Sequence, residues 1–233
     1  MSSVYLIPCT LYEDALETIP TYVIDAVKNC SVIFAENERT ARRFLKSMDR
    51  DIVIDSFEWF AIHKAEADQL VPFKQKIKEN KNIAIISEAG CPGIADPGQV
   101  LIAAAQQLGA TVKPLVGPSS ILLALMASGM NGQQFEFVGY LPIDHLERMK
   151  KIKELEAASL KNNSTKIFIE TPYRNNQLME SLLKNCSGQT RLCVAANITS
   201  PAETIHTHSI LEWKNKKPEL HKQPVIFLLH ASK

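Results

Sequence analysis

The residues best suited to chemistry lie in one run, Ser87-Glu-Ala-Gly-Cys-Pro-Gly-Ile-Ala-Asp-Pro-Gly98. Three glycines and two prolines in twelve residues make a stiff loop with little side chain at several points, so a ligand can approach the backbone closely. The apolar run Ile83–Ser87 ahead of it predicts a buried strand. Asp96 and Pro97 predict a helix start behind it, as N-cap and first helical residue. GxGxxG is missing, as is the Gly-Lys-Ser/Thr of a phosphate loop, so a phosphate-bearing cofactor is disfavoured. The loop offers backbone groups and the Asp96 carboxylate, but no cation for phosphates. A second turn, Val116-Gly-Pro-Ser-Ser120, repeats the pattern, with the Ser119 and Ser120 hydroxyls placed to cap a helix or to face a ligand. Two such turns on successive strands would line one crevice at the sheet edge.

Other residues have a chemical reading beside a structural one. Glu36 and Arg39 follow the apolar run Ser31–Ala35 on the same edge; a carboxylate there suits proton removal from a hydroxyl nucleophile, or simply a first helical turn. His206 and His208 alternate along a strand and share a face, but no third ligand accompanies them, so no metal is expected. Phe57, Trp59 and Phe60 suit base stacking or core packing. The basic stretches Arg148–Lys153 and Lys214–Lys217 suit phosphate contact, or a solvated helix face.

The elements that position these residues alternate. Strands are expected at Val4–Ile7, Ser31–Ala35, Ile52–Asp55, Ile83–Ser87 and Thr111–Val116. Helices are expected at Tyr22–Asn29, near Thr40–Met48, over 64–80 with Pro72 starting or kinking it, and at Gly98–Leu108. Strand and helix swapping at this spacing, with wholly apolar strands, predicts a parallel sheet covered on both faces. Beyond helix 120–128 the order changes. Strands at Phe135–Leu141 and Ile167–Glu170 alternate with helices at 146–160 and Asn176–Asn185. Arg191–Ile198, Thr204–Trp213 and Val225–His230 then follow as strands, which predicts antiparallel pairing. The fold class is α/β in two lobes, 1–115 mainly parallel and 116–233 with a mixed sheet. Lys+Arg and Asp+Glu number 12 and 15 in the first segment and 14 and 10 in the second.

Composition sets the frame. The 233 residues are 45% hydrophobic and 22% charged, with a formal net charge of +1, which argues against disorder and against a dedicated polyanion binder. The five cysteines, Cys9, Cys30, Cys91, Cys186 and Cys193, are widely spaced with no CxxC pair, as in a protein kept reduced. The N-terminus reads as neither a secretory signal nor a membrane span, and a cytoplasmic location with no membrane partner is expected.

The runs ISEAGCPGIADPG (86–98), PLVGPSS (114–120), FEFVGYLP (135–142) and FIETPYR (168–174) resemble the tetrapyrrole methylase superfamily of S-adenosylmethionine-dependent methyltransferases. Within it the chain is most similar to the bacterial 16S rRNA ribose 2′-O-methyltransferase branch, from Tyr5 to about Leu229. The resemblance implies a two-lobed methylase-like fold, a homodimer, and S-adenosylmethionine held in a cleft between lobes. It implies cofactor contacts from Pro8, Ala89, Gly90, Cys91, Ile94, Ala95, Asp96, Ser119 and Ser120, and from Glu170, the run Val194 to Ile198 with Asn197, Pro224 and Val225. Glu36 and Arg39 match an Ala-Glu-Asp-Thr-Arg pattern in part and are the catalytic candidates. His63 falls where members of the branch carry a His- and Asn-rich segment, which implies a substrate-side role. The chain departs from the branch at Pro8-Cys-Thr-Leu-Tyr-Glu-Asp14, where a Pro-Ile-Gly-Asn turn is usual, and at Ala196-Asn-Ile-Thr-Ser200, where an Arg-Glu-Leu-Thr-Lys run is usual. The expected reaction is direct in-line methyl transfer to an acceptor, an rRNA ribose hydroxyl. A porphyrinoid or other small acceptor, or cofactor binding without turnover, stands as the alternative.

Overall fold

A computed structural model describes residues 2–62, 66–216 and 218–232, in two compact units, Met1–Ser119 and Ser120–Lys233.

The first unit contains β1 (Ser3–Ile7), α1 (Tyr22–Lys28), β2 (Val32–Ala35), α2 (Glu38–Met48), β3 (Glu58–Ala61), α3 (Leu70–Lys78), β4 (Ile83–Ile86), α4 (Gln99–Gln107) and β5 (Thr111–Pro114). The strands form one sheet in the order β3-β2-β4-β1-β5, every pair parallel. Parallel strands sandwiched by helices must be apolar on both faces. VIFA of β2 and IAII of β4 are buried at every position. Their side chains alternate accordingly. Ile33, Ala84 and Ile86 pack with Val23 and Val27 of α1 and Leu45 of α2. Phe34, Ile83 and Ile85 pack with Phe73 of α3 and Leu101 of α4 on the other face. Ile7 of β1 and Ala35 of β2 both stand in register with Ile86 of β4, so the loops that follow these three strands leave from one edge.

Three expectations in this unit need correction. Ile52–Asp55 is not a strand. Val53 is exposed, 54–56 form a single 3₁₀ turn, and the paired strand is Glu58–Ala61, whose open edge keeps it from reading as an apolar run. The helix expected over 64–80 is a 3₁₀ turn at Glu66–Gln69 followed by α3, with Pro72 in its first turn, where a missing N–H costs no hydrogen bond. Asp96 and Pro97 do not start α4; its N-cap is Gly98 at φ +128°, which offers no side chain. The Glu66 carboxylate takes over, accepting from the amides of Val100 (2.8 Å) and Leu101 (3.2 Å).

The second unit contains α5 (Ser120–Ser128), β6 (Phe135–Tyr140), α6 (His145–Asn162), β7 (Thr165–Ile169), α7 (Asn175–Asn185), β8 (Arg191–Ala196), β9 (Thr204–Ser209), α8 (Ile210–Lys216) and β10 (Val225–His230). Its sheet runs β6-β7-β10-β8-β9. The β6–β7 pair is parallel and the rest antiparallel, a mixed sheet. Phe168, Phe227, Leu192 and Trp213 anchor its core. The strand expected over Thr204–Trp213 ends at Ser209, because Ser209-Ile-Leu-Glu212 is a capping box. Glu212 Oε2 accepts from the Ser209 amide at 2.8 Å, and Ser209 Oγ accepts from the Glu212 amide at 3.2 Å. Arg148 departs from the solvated face expected for its stretch. It is buried, donating from Nε to Ser181 Oγ (3.2 Å) and from Nη1 to the Ile143 carbonyl (3.0 Å). Among the described residues no helix is long and apolar enough to cross a membrane.

Candidate functional site

In the first unit, the loops after β1, β4 and β5 meet, the first two through their backbones and the third by packing against them. Cys9 and Gly90 exchange two backbone hydrogen bonds, 2.8 and 3.1 Å, which zips the first loop to the glycine-rich loop. Gly90 sits at φ +67°, and a Cβ there would touch Leu11 at 3.4 Å and the Pro118 carbonyl at 3.7 Å. The Cys91 thiol lies 3.5 Å from the same carbonyl. Gly117 is obligatory, since a Cβ would fall 2.1 Å from Cβ of Pro8. The structure therefore brings Pro8, Gly90, Cys91 and the 117–118 turn into one cluster. This follows from the sheet order, in which β1 lies between β4 and β5.

The rest of the glycine-rich loop is shaped for exposure of its backbone. The Gly93 amide donates to the Pro97 carbonyl at 3.2 Å, and the Ile94 amide to the Cys91 carbonyl at 3.2 Å. Ala95 holds φ +65°, a region that costs a residue with a Cβ roughly 1–2 kcal/mol and that clusters at functional sites. Ile94 and Ala95 are exposed, so the loop crest is open. Ala89 and Asp96 are half-buried beside it.

Three carboxylates stand on this edge. Glu36 follows β2 and accepts the Glu88 amide on Oε2 at 2.9 Å. Burial, and then the charges of Glu36 and Glu88, push the Asp96 carboxyl up to about 6. The Cys9 thiol is held well above its ordinary range by burial and by Glu36 and Asp96, and burial raises Cys91 in the same way. Both are therefore thiols rather than nucleophilic thiolates at neutral pH. Arg39 is exposed in the first turn of α2, and among the described residues its guanidinium makes no ion pair.

In the second unit, a different polar group forms where β7 and β8 end and β10 begins. Glu170 follows β7 and is almost wholly buried. Its Oε1 accepts from the Thr171 amide (2.6 Å) and from Arg174 Nε and Nη2 (3.0 and 2.7 Å), while Oε2 has no partner. Asn197 at φ +54° donates its amide to the Pro224 carbonyl (3.0 Å) and Nδ2 to Gln223 Oε1 (2.8 Å). Two residues on, Thr199 at φ +71° has a buried hydroxyl with no partner. Val225 opens β10 opposite Ala196, so Glu170, Asn197, Pro224 and Val225 share one edge. Ile198 is buried beside Asn197. Val194 is placed differently, well inside β8 opposite Phe227 and packed in the core. Ser119 closes the first unit and Ser120 opens α5 in the second.

Sequence reasoning missed Thr10, Asn175, Thr199 and Gln223. Asn175 is fully buried at the start of α7, bonded through Nδ2 to the Leu220 and Gln223 carbonyls, with Oδ1 unpartnered. Nothing in an Asn or Thr at a strand or helix end signals burial without a partner. Other candidates settle into structural roles. Phe57 meets Trp59 edge-on, Trp59 lies under the Arg42 guanidinium at 4.6 Å, and Phe60 stacks on Phe34 at 4.7 Å. His206 stacks on His208, which meets Trp213 edge-on at 4.9 Å. His63 and Lys217 lie outside the described residues.

A family model for tetrapyrrole (corrin/porphyrin) methylases matches residues 14–212. The chain is 28% identical over 231 residues to the ribosomal RNA small subunit methyltransferase I of Vibrio cholerae, covering 97% of this chain and 76% of that one. It is 30% identical over 221 residues to the protein of that name from Bacillus subtilis, covering 93% and 71%. Among solved structures it is similar to the methyltransferase CobJ (TM-score 0.64, 16% identity, 99% and 93% covered). It is also similar to a Thermus thermophilus uroporphyrin-III-C-methyltransferase (TM-score 0.58, 15% identity, 98% and 91% covered). Those two likenesses speak to the fold. Together with the glycine-rich edge of a parallel sheet, the family match and the curated relatives place the chain: it belongs to the tetrapyrrole methylase family and is a methyltransferase.

Proposed function

We propose that this methyltransferase uses S-adenosylmethionine to methylate ribosomal RNA, at a ribose 2′-hydroxyl, as a cytoplasmic homodimer. The observation that carries the reading is the cluster of Pro8, Gly90, Cys91 and Pro118 loops. It is a built backbone surface beside the Glu36, Glu88 and Asp96 carboxylates, and its own loops hold no lysine or arginine. S-adenosylmethionine has an adenine, a ribose, an amino-acid end and a sulfonium cation but no phosphate, so this donor set fits it. The two relatives named as ribosomal RNA methyltransferases support RNA as the acceptor.

Ala89, Gly90, Cys91, Ile94, Ala95 and Asp96, with Pro8, Ser119 and Ser120, are the residues proposed to hold the cofactor from the first unit. The second unit offers Glu170, Asn197, Ile198, Pro224 and Val225. Its unpartnered Glu170 Oε2 and Thr199 hydroxyl are buried groups still lacking a hydrogen bond, as expected of atoms that await a ligand. Val194 packs in the core and is left out of this set.

When bound, S-adenosylmethionine supplies an electrophilic methyl on sulfur. What the chain must do is orient an acceptor hydroxyl and accept its proton. Glu36 is the proposed proton acceptor: the Glu88 amide pins its Oε2, and among the described residues Oε1 accepts no hydrogen bond. Arg39, on the next turn, is placed to hold an acceptor phosphate. Positioning of this kind can be worth several kcal/mol, on the order of the ~7–11 known for well-oriented reactions.

The test is transfer of labelled methyl from the cofactor to undermethylated ribosomal subunits. Label in small-subunit RNA is the expected result. Label confined to small molecules overturns the RNA assignment, and absence of calorimetric binding to S-adenosylhomocysteine at millimolar concentration overturns the cofactor.

A further inference from the structure

Next to the glycine-rich loop, and wholly within the first unit, lies a cavity of about 480 Å³ that the cofactor residues do not explain. It is lined by Thr10, Glu13 and Asp14 of the loop after β1, by Arg43 and Phe44 on one face of α2, and by Glu88. It shares Ala89 with the cofactor loop, but Gly90, Cys91, Ile94, Ala95 and Asp96 are not among its walls. Its volume falls in the range of small-molecule sites. Its chemistry is specific.

Three carboxylates face one guanidinium, and that guanidinium is already spent: Arg43 Nη1 donates to Glu13 Oε1 at 3.0 Å. Such a pocket repels phosphate, and it repels the carboxylate-rich macrocycles of tetrapyrrole synthesis equally. It attracts neutral groups that carry N–H donors, because a carboxylate only accepts hydrogen bonds. Thr10 is the second pointer. It is only 8% exposed, and among the described residues its hydroxyl has no hydrogen-bond partner, although it lines the cavity. A hydroxyl without a protein partner, on a nearly buried residue that lines a cavity, is open to an occupant. Phe44 adds an aromatic wall.

We infer that this cavity seats the base of the acceptor nucleotide. Thr10, Asp14 and Glu88 take its hydrogen-bond donors, and the Arg43–Glu13 pair closes one side. The inference rests on the RNA reading proposed above and adds the residues that recognise the acceptor. Glu88 links this cavity to the proposed chemistry, since its amide holds Glu36 and its Oε1 lies 3.5 Å from Thr40 Oγ1.

The experiment compares full-length wild type with Thr10→Val and Asp14→Asn. It uses labelled transfer to undermethylated small ribosomal subunits, with calorimetric binding of S-adenosylhomocysteine measured in parallel. Asp14 is exposed, so its variant folds even if the buried Thr10 variant does not. The expected result is a fall of about tenfold in kcat/KM for the subunits in each variant, the size of one lost hydrogen bond, with cofactor affinity held within about twofold. A wild type that labels RNA beside an Asp14→Asn variant of undiminished kcat/KM overturns the cavity assignment alone. A wild type that binds cofactor but labels no ribosomal RNA overturns the RNA reading, and this inference with it.

Discussion

The two units present polar strand-end edges built on opposite principles. In the first, the surface is backbone: glycines at positive φ, an alanine at φ +65°, two loops zipped by main-chain hydrogen bonds and a third turn packed on Pro8. In the second, it is side chain, with a buried carboxylate and a buried hydroxyl each holding an unpartnered oxygen where three strands end or begin. Backbone surfaces fail through sterics and side-chain surfaces fail through lost hydrogen bonds. Substitutions in the two edges should therefore differ in kind, not merely in size.

The largest effect belongs to the backbone edge. Gly117→Ala puts a methyl 2.1 Å from Pro8 Cβ and 2.5 Å from its Cγ, a clash that a proline ring cannot relieve without moving main chain. It should cost about 3 kcal/mol or more in denaturant unfolding, and cofactor affinity should fall with stability. If the variant melts like wild type, the 117–118 turn is not packed on Pro8 and the first edge loses its basis. Second in size is Glu170→Ala in the other unit. It strips partners from the Thr171 amide and the Arg174 guanidinium and should cost about 2–3 kcal/mol. Glu170→Gln keeps an acceptor and should recover most of that stability. An alanine variant as stable as wild type would make the second edge a solvated loop.

How much of this was legible in the sequence follows the same division. The glycine-rich loop announces itself because Gly90, Gly93 and Gly98 are demanded by conformation, and conformation leaves a compositional trace. The doubly covered parallel sheet was legible for a related reason: VIFA and IAII are apolar at every position, which a one-sided sheet does not require. The start of α4 was misread because a cap can come from far along the chain. Asp96-Pro97 carries the local signature, yet Glu66 does the capping from a segment that only folding brings near. The end of β9 was misread although its capping box, Ser209 and Glu212, stands in the sequence. The β-branched Thr204, Ile205 and Thr207 ahead of it read as one strand running through. The unpartnered atoms of Glu170 and Thr199 were not legible at all, since burial is a property of the assembled unit.

The acidic group on the first edge predicts a pH signature. The Asp96 carboxyl, about 6 when folded against 3.8 ordinarily, is raised, so the fold favours its protonated form. That contribution is complete below about pH 3.8 and is lost as pH rises through about 6. Asp96→Asn stays neutral throughout. Measured against wild type by chemical unfolding, it should gain about 1 kcal/mol between pH 4 and pH 7.5, a figure kept small because the carboxyl is half exposed. A constant difference across that range would mean that neither burial nor the charges of Glu36 and Glu88 raise the Asp96 carboxyl.

The smallest effect separates the two edges most sharply. Thr199→Val removes a buried hydroxyl that has no partner and keeps the branched shape, so the strain of φ +71° is common to both side chains and cancels. The hydrogen bond from the residue 199 amide to Glu203 Oε2, 2.7 Å, is retained. Without ligand the variant should be as stable as wild type or up to about 1 kcal/mol more stable, because a desolvated, unsatisfied oxygen is gone. With S-adenosylhomocysteine present, the ligand-induced rise in Tm should shrink, because the group that would meet the ligand is missing. A variant less stable than wild type in the absence of ligand would show that the hydroxyl already has a partner within the protein. The second edge would then be a finished structural network rather than one completed by a cofactor.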